Sequence, residues 1–432
     1  MKTLPRGMKD IGPEEMGLRL WISNRILQVL NVYGFRLVEP SPIENLETLE
    51  AKCGPSVRDE IYWFEDKAGR KLGLRFDLTV GLARMVATRR DLALPAKLAA
   101  ISNMWRYDEP QHGRYRCFYQ WDAEIFGSPL PEADGEIIAL SMDILDSLGL
   151  GGYEVRVSSR RLAEGFLNAL GVEEPSKVEA ALRIIDKFRK ASREELARDL
   201  ANLGFTSQQV EEVFNFIAIQ APPEEALKRL EAFDVKGEKF QRGLSEVEAT
   251  VEALKALGKD GRILLDMSIV RGLGYYDGVV FEIYDKEDVG LGALVGGGRF
   301  DGLCRLYGRD LPATGAAGGI ERTILALEKK AKPSEDFSQK PKVFVASVGV
   351  EVRGKAAELA ARLRRLGVSV EYDLRGRSLK GQLEYADSTG IPYILIVGGR
   401  ELERGTVRLR DMERRVEREI AVEEAFRLLS GS

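Results

Sequence analysis

The sequence predicts an α+β chain: a large, mainly antiparallel sheet domain carrying a helical insertion, followed by a small α/β domain. Three observations predict it. Strand-like runs such as "IYWFED", "KLGLRFDLT", "AISNMWRYDE" and "RYRCFYQWDAEIF" follow one another with turn residues between them. From about 160 to 257 the pattern is helical instead, and strands return with "ILLDMSIV" and "GVVFEIYD". Beyond the polar, proline-marked segment 329–342, strand and helix alternate, which argues a largely parallel sheet.

In chain order, Pro13 with Glu14 and Glu15 opens a helix that runs to Gly34, since proline is tolerated in a first turn and acidic groups favour it. "FRLVEPSP" reads as a short strand closed by prolines. "IYWFED" and "KLGLRFDLT" read as strands of one sheet, "VGLARMVATRR" as a helix, and residues 100–126 as two strands joined at "PQHG". "DGEIIALSMDILDSLG" is helical. In the insertion, Ser192 with Glu195 and Thr206 with Gln209 are capping-box pairs, and the whole stretch reads as helix. "GALVGGGRFDG" is dense in glycine, and "TGAAGGIERTILALEKK" enters a helix. After the linker come a strand (VFVASVG), a helix (GKAAELAARLRRLG), a strand (VSVEYDL), a helix (SLKGQLEYADSTG) and a strand (YILIVGG).

At 432 residues the chain is long enough for two or three cores. With 44% hydrophobic and 31% charged residues it reads as soluble and globular, and a net charge of −4 gives no global sign of nucleic-acid binding. Cys53, Cys117 and Cys304 are scattered and form no disulfide framework. One histidine, His112, and no CxxC pair argue against zinc and against a Ser-His-Asp triad. The N-terminus has no apolar core of a signal peptide, and no run of 18 apolar residues occurs, so a cytoplasmic protein with no membrane span is expected.

Chemistry concentrates in a few stretches. In a strand over 114–124, period two places Arg114, Arg116, Phe118, Gln120, Asp122 and Glu124 on one face, opposite Tyr115, Cys117, Tyr119, Trp121 and Ala123. "LRFDLT" would likewise set Arg75, Asp77 and Thr79 on one face, and Arg106 with Asp108 forms a third polar pair. Such a face is either a solvated, ion-paired surface or the floor of a site. The stretch "VRGLGYYDGVVFE" tilts the balance. Arg271 follows a strand apolar enough to be central, and glycines beside it allow close approach of a ligand. An arginine fork suits carboxylate or phosphate, and Tyr275 and Tyr276 add rings and hydroxyls. Arg322 falls in the first turn of a helix behind glycines, a place suited to an anion. "VGGGRFDG" matches neither GxGxxG nor GxxxxGK[ST] spacing, so a Rossmann or P-loop reading fails. Several arginines beside several carboxylates point to a substrate carrying both anionic and amine groups.

These residues resemble the histidyl-tRNA synthetase family, within the class II aminoacyl-tRNA synthetases. "YGFRLVEPSPIE" is similar to the class II motif 1 strand with its proline, Pro42. "MWRYDEPQHGRYRCFYQWDAEIFG" is similar to motif 2, and "GAAGGIERT" to motif 3 with Arg322. "VRGLGYYDGVVFE" resembles the histidine signature "RGLDYYTG". The resemblance runs nearly end to end. It implies a class II antiparallel-sheet catalytic domain over 1–330 with the insertion at about 160–257, a linker at 329–342 and an α/β anticodon-binding domain over 343–432. It implies ATP-dependent activation of L-histidine, transfer to tRNA(His), Mg²⁺ with unassigned ligands, no zinc, and a homodimer built on the helix 13–33 and the motif 1 strand. Arg106 would contact the α-phosphate and the histidine carboxylate. Asp108, Arg114, Phe118 and Arg322 would join Arg106 in holding ATP. Asp77, Thr79 and Gln120 would hold the amino group, Glu124 and Tyr276 the two imidazole nitrogens with Tyr275 beside them, and Arg271 the charge that grows at the α-phosphate. Gly274, Cys117, Ala316 and Gly318 depart from the family pattern. The rival reading is a catalytically silent paralogue that regulates ATP phosphoribosyltransferase, which resembles the same catalytic domain but lacks the C-terminal domain and the signature arginine.

Overall fold

A computed structural model describes residues 3–53, 55–107, 109, 115–189, 191–270, 275–330, 337 and 340–431. The chain divides into two compact units, one of residues 1–12 and 18–334, the other of residues 13–17 and 335–432.

The larger unit is built on a nine-stranded sheet. Its strand order is Arg36–Leu37, Ala96–Trp105, Cys117–Phe126, Ala313–Gly319, Val295–Arg299, Val279–Asp285, Tyr153–Ser159, Ile263–Asp266, Gln220–Ala221. The six strands from Ala96–Trp105 through Tyr153–Ser159 pair antiparallel throughout, and the parallel pairs lie towards the two edges. The α+β class with an antiparallel centre is therefore as expected.

Alternation along the strands splits the core in two. Trp121, Ala123 and Ile125, with Val279, Phe281 and Ile283, join the large cluster under the helix Pro131–Ser147 and the insertion. Leu98, Ala100, Met104, Val280 and Tyr284 belong to a smaller cluster on the other face, with Leu78, Leu82 and Phe300. That second face carries the polar side chains of the site. A separate three-stranded sheet is formed by Ile43–Asn45, Lys71–Leu74 and Trp63–Glu65.

Two sequence readings of this unit need correction. "KLGLRFDLT" is not one strand: the strand ends at Leu74, and a helix starts at Thr79. The Asp77 carboxylate accepts the Val80 N–H at 3.0 Å, so Asp77 satisfies an orphan donor of that helix and the alternation ends with it. The insertion is not helical throughout. Gln220–Ala221 leaves its helices to pair with Ile263–Asp266 as the last strand of the sheet. Both expected capping boxes are present, at Ser192 with Glu195 and at Thr206 with Gln209.

The C-terminal unit has the expected strand–helix alternation over Val343–Val397, with three parallel strands. Its sheet is less parallel than expected, because Thr406–Asp411 and Val416–Ala421 add two antiparallel strands before the last helix, Val422–Ser430. Val345, Leu359 and Phe426 lie in the core on one face, and Phe344, Ala386 and Ile396 on the other. Most of the proposed linker, with Asp108, His112, Arg114, Arg271 and Gly274, lies outside the described residues.

Candidate active site

On the polar face a cleft opens with about 1150 Å³ of empty space. Asp77, Thr79, Arg106, Phe118, Gln120, Glu124, Tyr275, Tyr276 and Arg322 all line it. They come from five separate stretches, and they are every sequence-assigned site residue that falls within the described chain.

The strand Cys117–Phe126 sets the floor. Phe118, Gln120 and Glu124 face the cleft, while Trp121 and Ala123 face the large core, as period two requires. Asp122, fully buried, orients the polar groups beside it. Gln120 Nε2 donates to Asp122 Oδ1 at 2.8 Å, and Thr79 Oγ1 donates to Asp122 Oδ2 at 3.3 Å. Two hydrogen-bonding side chains of the wall are thereby held by one carboxylate beneath them, which fixes their rotamers before any ligand arrives.

Glu124 is only 1% exposed. The neighbouring strand makes room for it at Gly315, where a Cβ would lie 2.8 Å from Glu124 Cγ. At Gly318, one of the departures from the family pattern, a Cβ would lie 2.4 Å from Trp121 Nε1. The small residue there is matched by the large indole below it.

Arg106 is fixed at two points. Its Nε donates to the Phe76 carbonyl at 2.9 Å, and its guanidinium lies 5.1 Å from the centre of the Phe118 ring. Arg322 occupies the first turn of the helix Ile320–Lys329 and donates from Nη1 to the Ala293 carbonyl at 2.9 Å. Tyr275 donates from its hydroxyl to that of Tyr276 at 2.9 Å, with the ring centres 4.2 Å apart. Phe300 meets both rings edge-on, at 6.1 and 6.5 Å.

Arg75 goes the other way from Asp77 and Thr79. It is buried under Glu39, with Nη1 donating to the Glu39 carboxylate and to the Pro40 carbonyl at 2.7 Å each, and Nε to the Asn103 carbonyl at 2.9 Å. Its role is structural. Arg116 likewise packs its guanidinium 3.9 Å from the centre of the Tyr107 ring.

Sequence reasoning missed Glu282 and Glu321, which also line the cleft. The signal for Glu282 is a single carboxylate on the inward face of the apolar strand Val279–Asp285. Glu321 had no local signal. Its partner is Arg19, 302 positions earlier, which donates to Glu321 Oε1 at 2.7 Å with both side chains buried. The Tyr119 N–H donates to both Glu321 oxygens at 3.0 and 3.1 Å. Helix 320–329, and Arg322 with it, is thus pinned to the floor strand and to the opening helix.

Known proteins resemble this chain from end to end. Residues 7–323 match the family described as histidyl-tRNA synthetase, and residues 342–431 match the one described as anticodon binding domain. A histidine–tRNA ligase of Thermococcus kodakarensis is 38% identical over 432 residues, covering 98% of each chain. The crystal structure of histidyl-tRNA synthetase from Nostoc sp. PCC 7120 superposes with a TM-score of 0.82 at 27% identity, over 99% of each chain. A structure from Bacillus halodurans, described as an ATP phosphoribosyltransferase regulatory subunit/histidyl-tRNA synthetase, superposes at 0.76 with 25% identity over 92% of this chain and 99% of its own. With a family match over residues 7–323 and a relative 38% identical over 98% of the chain, this chain belongs to the histidyl-tRNA synthetase family.

Proposed function

We propose that this chain activates L-histidine with ATP to histidyl-adenylate, releasing diphosphate, and transfers the histidyl group to the 3′ end of tRNA(His). The observation that carries this reading is the meeting, in one cleft, of side chains suited to each part of the two substrates. Glu124 and Tyr276 accept and donate at the two imidazole nitrogens, with Tyr275 beside them. Asp77, Thr79 and Gln120 hold the amino group. Arg106 bridges the histidine carboxylate and the α-phosphate. Phe118 and Arg322 flank the adenine, with Asp108 and Arg114 completing the ATP contacts. Arg271 meets the charge that grows at the α-phosphate as the carboxylate attacks. Displacement at phosphorus needs mainly positioning and preorganised positive charge, which is what these groups supply.

Mg²⁺ is proposed to enter with the ATP phosphates, because it keeps several waters and takes one or two carboxylates plus substrate oxygens. Among the described residues no group of three or more His, Cys, Asp or Glu side chains forms a metal cage. Glu282 on the cleft wall fits the smaller requirement and would hold the ion beside the phosphates, whose negative charge it would offset; Glu321, committed to Arg19 and the Tyr119 N–H, would not.

Residues 1–330 are assigned as the catalytic domain and 343–432 as the reader of the anticodon, joined by 329–342. The exposed Arg375 and Lys380 at one strand–helix junction support the second assignment. The work is placed in the cytoplasm; among the described residues no helix is long and apolar enough to cross a membrane. The silent-paralogue alternative is disfavoured by the match at residues 342–431. Charging of a tRNA(His) transcript with labelled histidine tests the full reaction. Histidine should accumulate on the RNA with ATP consumed, and a chain that charges no tRNA would refute the transfer step.

A homodimer is part of the proposal. The opening helix, the strand after it and the small sheet leave Leu20, Val32, Leu37, Ile43, Trp63 and Phe64 exposed, more large apolar side chains than water-facing elements need. Sedimentation at micromolar concentration should give a dimer, and a monomer there would remove this part of the reading.

A further inference from the structure

We propose that Asp277 is a positioning residue for the imidazole subsite, its carboxylate latching the Tyr275–Tyr276 segment to the turn at Phe300–Gly302. The inference rests on the assignment of the two tyrosines to histidine recognition. Asp277 directly follows Tyr276 and touches none of the cleft's open space. Its two oxygens hold two successive backbone donors: the Asp301 N–H at 3.2 Å on Oδ1 and the Gly302 N–H at 3.0 Å on Oδ2. Its own N–H donates to the Arg299 carbonyl at 3.0 Å. Between those two anchors sits Phe300, whose ring meets both tyrosines edge-on. The carboxylate therefore fixes the ring against which the tyrosine pair is stacked.

The charges around it are arranged on three elements. The Asp301 carboxylate stands nearby and accepts from Ala313 N–H at 3.0 Å and from Arg299 Nη1 at 3.2 Å. Arg299 also donates twice to the buried Asp134, at 2.8 and 2.9 Å. Arg161 on the helix Arg160–Ala169 adds positive charge. Burial, then repulsion from Asp301, raises the Asp277 carboxyl from 3.8 to about 6 against the pull of its N–H donors and Arg161. Below about pH 6 the carboxyl gains a proton in place, and the neutral group then offers the two N–H groups one acceptor and one donor, as an asparagine does. Burial also raises Asp134 to about 6, against its Arg299 partner. That group titrates in the same window.

The test is histidine-dependent ATP–pyrophosphate exchange from pH 5.5 to 8 with wild type and Asp277→Asn. At pH 7.5 the variant should raise KM for histidine about tenfold, because an amide turns one acceptor into a donor, while kcat and KM for ATP stay within about twofold. The ratio of the two KM values for histidine should fall towards one below pH 6. Titration of Asp134 and of the substrate ring is common to both proteins and cancels in that ratio. If Asp277→Asn does not fold, Asp277→Ser, which keeps one acceptor without charge, is held to the same two criteria. A ratio independent of pH, or equal effects on histidine and ATP, would overturn the proposal. Absence of exchange in wild type would instead refute the synthetase reading itself.

Discussion

Arg106→Ala should lower the single-turnover rate of histidyl-adenylate formation by about 10²–10³-fold, the usual loss when one preorganised donor to developing charge is removed. The structure explains why the arginine is preorganised. One donor is spent on the Phe76 carbonyl, and the guanidinium lies 5.1 Å from the centre of the Phe118 ring, so the fork is held without help from substrate. A group already in place costs no reorganisation when charge moves to the α-phosphate. The loss should fall more on kcat than on KM for either substrate, since the contact strengthens as the reaction proceeds. Arg106→Lys should recover little of it, because an ammonium cannot bridge a carboxylate and a phosphate with a planar fork. A rate within threefold of wild type for Arg106→Ala would make this arginine structural, like Arg75.

Glu124→Gln should raise KM for histidine by about 10–100-fold, the range expected when a hydrogen bond to a buried charged acceptor is replaced by a neutral one. KM for ATP should hold within about twofold. Glu124 is buried on the cleft's floor strand, and Gly315 opposite it leaves space for its side chain. If the proposed assignment holds, a ring N–H there would meet a carboxylate largely shielded from solvent. Selectivity should change in the same variant: a site built to bond both ring nitrogens rejects analogues lacking them by roughly 10⁴–10⁵, and loss of one partner should erode that margin. Steady-state exchange with histidine and with an analogue lacking one ring N–H measures both effects. An unchanged KM for histidine would place the imidazole elsewhere in the cleft.

Much of this site was legible because it lies on a central strand. Phe118, Gln120 and Glu124 could be assigned to one face by alternation alone, and the structure keeps that face on the cleft. Alternation misled where the strand had already ended. Asp77 and Thr79 reach the cleft from a turn and a helix start, and Arg75 leaves them for Glu39. The helix-start signal at Asp77 was present in the sequence, three residues before the N–H it accepts. Glu321 was out of reach, because its meaning depends on Arg19 at the other end of the domain. The two-residue edge strand Gln220–Ala221 was hidden for a similar reason: only its partner, Ile263–Asp266, makes it a strand. In the C-terminal unit the alternating half was visible; Val416–Ala421 is too charged to show a clean period, while the period-two run of Val407 and Leu409 in Thr406–Asp411 was there to be read and was missed.

The assignment of the cleft to histidine and ATP is tested most directly by ATP–pyrophosphate exchange, run with the full chain, Mg²⁺ and each of the twenty amino acids in turn. Exchange should appear with histidine alone, and it should need no tRNA if residues 1–330 are the catalytic domain as proposed. Exchange that is absent with histidine, or as fast with another amino acid, would contradict it.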